Sequence, residues 1–274
     1  MFANTVQPEI VSLFSSTSSG PLDLFGSACD ALLPSDSFIH LLIDKSSLPA
    51  PPSPAVLILP PSQENSDVAE ESDGTSGLCL SQRVLHIQSP TLRTTYIRCP
   101  PNNSQPLGLK HPWLHLQVRD VGREWSLEIG LVDRSGSVGV VRFSTFQVNI
   151  TIMQPLFAKE PRLKRPTNPS SPPLLHLPIS FPSISSRPLT SWATVTLHLP
   201  TFLPHFSSSS LLARGAESAH MPASSGSGML SSSFSHTSYI KVYATCRLRR
   251  IWFSQGGPSK QAPWEFELYG DEYR

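Results

Sequence analysis

Charge is scarce in this chain: Asp, Glu, Lys and Arg together make up 15% of 274 residues, and the net charge is +1. A balance so near zero supplies no global field to draw in nucleic acid or a membrane surface, so any electrostatic role has to be local. Cysteine is equally sparse. Cys29, Cys79, Cys99 and Cys246 lie far apart with no C-x-x-C pair, which removes zinc knuckles and dithiol redox motifs from consideration and leaves reduced structural thiols. No apolar run approaches the roughly 20 residues that cross a bilayer, and "MFANTVQPEIVSLF" has no basic stretch followed by a long apolar segment. The expected compartment is the cytosol or nucleus.

Catalytic signatures are missing as well. There is no G-x-S-x-G elbow, Walker loop, dinucleotide fingerprint or H-E-x-x-H. His111 and His115 have the i, i+4 spacing of a helical metal site, but Pro112 between them and the alternation around them argue against a shared helical face. The sequence thus points to a protein that binds or builds rather than one that catalyses, with no cofactor, metal or small-molecule substrate.

What is abundant is proline, with 28 copies against an apolar content of 39%. Three stretches stand out in composition: residues 46–82, Pro/Ser-rich and then acidic; residues 155–173, Pro-rich and basic in the middle; and residues 207–237, rich in serine. None has enough apolar surface to offset the entropy of ordering it, so all three are expected to be flexible insertions in one domain spanning residues 1–274.

Between them the apolar residues recur with period two. Leu114, Leu116 and Val118 share a face opposite His115, Gln117 and Arg119. Trp125, Leu127, Ile129 and Leu131 repeat the device, "DRSG" at 133–136 supplies a turn, and "SVGVVRFSTF" resumes, which predicts a hairpin over residues 125–146. In "SWATVTLHLP", Ala193, Val195, Leu197 and Leu199 alternate with polar residues. No comparable 3.6-residue stripe is present, so the fold class is all-β, a single antiparallel sandwich. Leu114, Leu116, Val118, Trp125, Leu127, Ile129, Val195, Leu197, Val242, Ala244 and Leu248 form its expected core.

The segment "YIKVYATCRLRRIWFSQ", residues 239–255, concentrates the cations. Ile240, Val242, Ala244, Cys246 and Leu248 form an apolar row, which places Lys241, Arg247 and Arg249 on the opposite, outward face. Parity slips at Arg249–Arg250, where Ile251 and Phe253 take up the apolar positions, so a bulge is expected and Arg250 becomes the arginine most prone to partial burial. The candidate partner-binding residues are therefore Lys241, Arg247, Arg249 and Arg250. A solvated strand face with no partner is the competing reading.

Several segments resemble the family of cilia- and flagella-associated proteins named for its member number twenty. These are "MFANTVQPEIVSLFSSTSSGPLDLF" at the start, "TTYIRCP" at 94–100, "LGLKHPWLHLQVRDV" at 107–121, "ATCRLRRIWFS" at 244–254 and "PWEFELYG" at 263–270. The resemblance implies a jelly-roll sandwich without catalytic activity. It also implies a structural role in the axoneme or basal body, with tubulin and other axonemal proteins as partners, because the namesake belongs to the inner junction of doublet microtubules. Tubulin's acidic surface suits a basic stripe. The chain departs from the family in its three long insertions and in lacking the usual Asp-Asp-Gly-Trp-Asn-Gln-Ile run. Two other readings stay open: a nuclear or cytoplasmic adaptor that holds nucleic acid or an acidic protein, and a β-sandwich enzyme or carbohydrate-binding module.

Overall fold

A computed structural model describes residues 1–49, 82–146, 161–165, 168, 171–181, 192–208, 211, 230, 233–258 and 263–268. The strands follow in chain order as β1 (Ile10–Ser15), β2 (Gly26–Ala28), β3 (Phe38–Ile43), β4 (Arg83–Gln88), β5 (Tyr96–Cys99), β6 (Trp113–Arg119) and β7 (Ser126–Asp133). Then come β8 (Val138–Ser144), β9 (Arg162–Lys164), β10 (Leu174–Pro178), β11 (Trp192–His198), β12 (Phe234–Tyr243) and β13 (Cys246–Ser254). Short 3₁₀ segments cover Leu199–Ser207 and Trp264–Phe266.

Two sheets result. The first runs β11-β6-β13-β4-β3, with β1 also paired to β13; the second runs β2-β5-β12-β7-β8-β10-β9. The first is antiparallel in every pair, whereas β8 and β10 lie parallel, so the second sheet is mixed. The expected antiparallel sandwich thus holds as a mainly antiparallel, sandwich-like pair of sheets with one parallel pairing. The predicted hairpin is present, with Ser126 opposite Ser144 through Val132 opposite Val138, and Asp133 accepts from Ser135 and the Ser137 backbone N–H to fix its turn.

One hydrophobic cluster lies between the sheets. Leu114, Leu116, Val118, Trp125, Leu127, Ile129, Val242, Ala244 and Leu248 are all buried in it, as the alternation predicts. Val195 and Leu197 pack against the cluster but stay half-exposed, because β11 pairs only with β6 and forms an edge of its sheet. Cys99 and Cys246 are buried free thiols, pushed up to about 12 chiefly by desolvation, and Cys29 is exposed.

The expected insertions fall mostly outside the described residues. Where they do not, they contribute structure: β9 lies within 155–173 and puts Leu163 into the core, and β12 begins at Phe234. The polar faces also differ from expectation. His115 and Gln117 were expected on a solvated side, but both are buried: the segment around Phe266 lies over Gln117, and His115 stacks on Trp252. Gln117 Nε2 donates to the Phe266 carbonyl, and the Phe266 ring packs on Trp252 at 5.0 Å.

Candidate functional site, a cation–tyrosine face on the second sheet

The stretch 239–255 is not one strand. The chain leaves the second sheet at Tyr243 and enters the first at Cys246. The crossover is held in place: the Ala244 N–H donates to Thr95 O, the Thr245 N–H to Glu124 O, and the Thr245 hydroxyl to Ser89 O. Lys241 therefore stands on a different sheet from Arg247, Arg249 and Arg250, and the expected continuous basic stripe does not exist. Alternation reads correctly within each strand; it carries no information about which sheet the next strand joins. The expected bulge is present, as a register shift between Leu248 and Arg250, after which Ile251 and Phe253 point into the core.

The arginines of β13 serve the interior. Arg247 Nη1 donates to Asp44 Oδ1 at 2.8 Å and to the Asp44 carbonyl at 2.8 Å, while Nη2 reaches Ser47 Oγ at 2.7 Å. Arg119 joins the same carboxylate oxygen at 3.0 Å, and Trp192 Nε1 donates to the other at 2.8 Å. Arg249 is 8% exposed, giving Nη1–H to Gln117 Oε1 at 2.6 Å and to the Glu267 carbonyl at 3.2 Å. Arg249, not Arg250, is thus the more deeply buried of the pair. Arg250 is half-buried over the Phe266 ring at 4.9 Å.

Lys241 has a different setting. On the outer face of the second sheet the strand registers align one cross-strand row: Arg98 on β5 faces Lys241 on β12, which faces Glu128 on β7, then Arg142 on β8, His176 on β10 and Arg162 on β9. At about 4.8 Å per strand the row is roughly 24 Å long. Glu128 is its only carboxylate, and its protein partners are close. It accepts from Arg142 Nε at 2.9 Å and Nη2 at 2.5 Å, from Tyr239 OH at 2.7 Å and from Tyr243 OH at 3.4 Å. Burial, and then the Glu128 charge, raise both tyrosine hydroxyls well above their usual range, so both stay protonated donors.

The tyrosine rings carry the remaining cations. Lys241 Nζ sits 3.5 Å from the Tyr96 centroid and 4.6 Å from that of Tyr243; the Arg98 guanidinium is 5.0 Å from Tyr239 and donates to Pro100 O at 2.8 Å. Gly130 makes room for this arrangement. A Cβ there would lie 2.5 Å from the Tyr239 ring, so glycine lets the ring lie flat and its hydroxyl reach Glu128. Among the described residues neither Arg98 nor Lys241 is in a salt bridge. Both line a cleft of about 490 Å³ with Tyr96, Tyr239, Asn102, Asn103 and the Glu128 carboxylate.

A second groove of about 860 Å³ runs over the first sheet, and His115 and Ser254 face each other there at 2.8 Å. The Ser254 hydroxyl donates to Gly256 O at 2.5 Å, so His115 Nε2 must be the donor to Ser254. A histidine in that tautomer does not take the serine proton, and the pair lacks the polarity of a nucleophile and its base. His111 Nε2 bonds to Pro8 O at 2.7 Å, so the two histidines are engaged separately; among the described residues no three His, Cys, Asp or Glu side chains group as metal ligands. No described helix is long and apolar enough to cross a membrane.

Arg98, Glu128, Arg142 and Tyr239 were absent from the candidates drawn from the sequence. A signal existed: Arg98, Glu128 and Arg142 each stand alone between apolar neighbours in strand-like runs. It becomes a row only once the pairing of β5, β12, β7 and β8 is known.

Comparison with known proteins finds similarity over part of the chain. The CFA20 domain matches residues 62–166, a span that contains Tyr96, Arg98, Glu128 and Arg142. Cilia- and flagella-associated protein 20 of Chlamydomonas reinhardtii is 29% identical over 82 residues, covering 30% of this chain and 43% of that protein. Among solved structures, the xyloglucanase domain of NopAA, a type three effector from Sinorhizobium fredii in complex with cellobiose, aligns with 63% of this chain and 80% of its own at 10% identity. Its TM-score is 0.27, too low to bear on fold or chemistry. Over residues 62–166 the chain thus matches the CFA20 domain, and over 82 residues it shows distant homology to Cilia- and flagella-associated protein 20.

Proposed function

We propose that this chain is a non-enzymatic structural protein of the cilium or flagellum. It sits in the axoneme or basal body and docks on tubulin and neighbouring axonemal proteins in the manner of a protein that bridges protofilaments. The docking surface is the outer face of the second sheet, centred on Lys241 and Arg98. The observation that carries this reading is the cross-strand row itself. Like charges directly opposite one another weaken a sheet, and Arg98 faces Lys241 with no carboxylate between them. The tyrosine rings and Glu128 offset part of that repulsion, and an acidic partner would relieve the remainder.

Of the basic residues singled out in the sequence, Lys241 keeps a docking role and Arg250, half-exposed, adds to the basic character of the first sheet. Arg247 and Arg249 hold the molecule together instead. The test is co-sedimentation with microtubules using Arg98→Gln/Lys241→Gln, with Lys45→Gln/Arg123→Gln, at exposed turn positions, as control. The wild type and the control should pellet with microtubules and weaken as salt rises, because exposed charges are screened over about 10 Å at 0.1 M. The double variant should stay in the supernatant while melting like wild type. Equal pelleting of a folded Arg98→Gln/Lys241→Gln protein would show that the docking surface lies elsewhere.

A further inference from the structure

Resting on that docking reading, we infer that the cleft between Arg98 and Lys241 is a carboxylate-recognition site that takes the glutamate or aspartate side chains of an acidic peptide chain, and not a nucleic-acid or sugar site. Three features of the cleft select this ligand.

The first is charge. Arg98, Lys241 and Arg142 surround one carboxylate, that of Glu128, whose four hydrogen bonds go to Arg142 and the two tyrosines. The positive charge of Arg98 and Lys241 is therefore unopposed at ion-pair distance among the described residues. Lys241 is half-buried, and desolvation first of all, with the nearby Arg98 and Arg142 charges adding, pulls its ammonium below the usual lysine range against the opposing pull of Glu128. An incoming anion relieves that cost.

The second is what the rings are doing. Stacking of a sugar or a base uses a bare aromatic face. Here Lys241 occupies a face of Tyr96 and of Tyr243, and Arg98 a face of Tyr239. The tyrosines act as seats that fix two cations in place, and Arg98 is fixed again by its bond to Pro100 O. Cations already ordered lose little further entropy when they meet a ligand.

The third is size and rim chemistry. A space of about 490 Å³ suits a few side chains rather than a protein domain. Asn102 and Asn103 at its edge offer amide donors and acceptors that suit the backbone of an extended peptide. Beyond Glu128 the row continues through Arg142, which Glu128 holds, and His176, kept neutral by burial, to the exposed Arg162, so an acidic chain crossing the strands reaches one further free cation.

The test uses the full chain and a short poly-glutamate peptide, followed by titration calorimetry, with a poly-glutamine peptide of equal length and a single-stranded oligonucleotide alongside. Poly-glutamate should bind and poly-glutamine should not. Arg98→Gln and Lys241→Gln should each weaken binding by about tenfold, as expected for one lost charge-assisted contact, while Lys45→Gln leaves it unchanged. Three results would overturn the inference: no poly-glutamate binding by folded wild type, equal weakening by Lys45→Gln, or oligonucleotide binding at least as tight that depends on the same two cations. The outcomes separate it from the docking reading. Poly-glutamate binding without microtubule binding sinks the ciliary role and keeps the cleft. Microtubule binding lost in Arg98→Gln/Lys241→Gln, without poly-glutamate binding, does the reverse.

Discussion

Replacing Arg247 by glutamate should unfold much of this protein, although the sequence alone presents Arg247 as a surface charge. Its guanidinium is 11% exposed and the Asp44 carboxylate it meets is fully buried. That carboxylate also holds Arg119 and Trp192, so Asp44 ties β3 to β6, β11 and β13 across the outer side of the first sheet. Removing one partner of a buried ion pair costs about 3–5 kcal/mol, and because Asp44 keeps Arg119 as a counter-ion, simple loss of Arg247 falls at the lower end. Reversal adds a second carboxylate where the guanidinium stood, which places Arg247→Glu at the upper end of that range. A domain is stable by only about 5–15 kcal/mol, so the loss is a large share of the total. At about 2–4 °C per kcal/mol it lowers the melting temperature by roughly 6–20 °C. Thermal melting followed by circular dichroism, with urea titration to check the slope, is the assay. Lys241→Gln serves as the contrast and should shift the midpoint by less than about 1 kcal/mol, in keeping with a charge outside any ion pair. An Arg247→Glu protein that melts with wild type would refute the account of this cluster and return Arg247 to the docking surface.

Stability should fall as pH drops from 6.5 towards 4. Burial pushes His115 down to about 4, so the unfolded chain binds its proton at a higher pH than the folded one, and stability complete above 6.5 is lost through that window, by about 3 kcal/mol. His86, His176 and His236 are also lowered, burial being the main cause, and add in the same direction; urea midpoints across the window check it, and a flat profile would count against these burials. Glu128→Gln should cost about 2 kcal/mol by removing the charge that Arg142 and Tyr239 bond to, and should strengthen poly-glutamate binding; weaker binding would mean that Glu128 itself takes part in recognition. Phe266→Ala should cost about 2 kcal/mol and raise hydrogen exchange at β13, since the ring covers Trp252 and carries Arg250; unchanged exchange there would mean that the segment is not a working cover.

Local alternation carried most of the fold. Leu114, Leu116 and Val118, or Trp125, Leu127 and Ile129, show in sequence which side faces inward, because the side-chain period of a strand is two wherever the chain pairs. Long-range placement is not written in any window. Nothing local states that Tyr243 and Cys246 belong to different sheets, that β10 lies parallel to β8, or that residues 263–268 return to cover Gln117. The cation site shows the same limit. Lys241 was visible as an outward cation, but Arg98 and Glu128 are distant in sequence and meet it only through the pairings of β12 with β5 and β7. Arg247 and Arg249 look exposed by parity and are not, because Asp44 and the Phe266 segment arrive from far along the chain.

The central claim is that the second sheet's outer face meets an acidic axonemal partner. The most direct measurement places a photo-crosslinking side chain at Asn103, on the rim of the cleft, and a second at Thr194, exposed on β11 of the other sheet, and maps adducts by mass spectrometry in isolated axonemes. The account predicts adducts from position 103 to acidic segments of tubulin or a neighbouring axonemal protein, lost in Arg98→Gln/Lys241→Gln, and few from 194. Adducts from 194 alone, or adducts from 103 that survive loss of both cations, would contradict it.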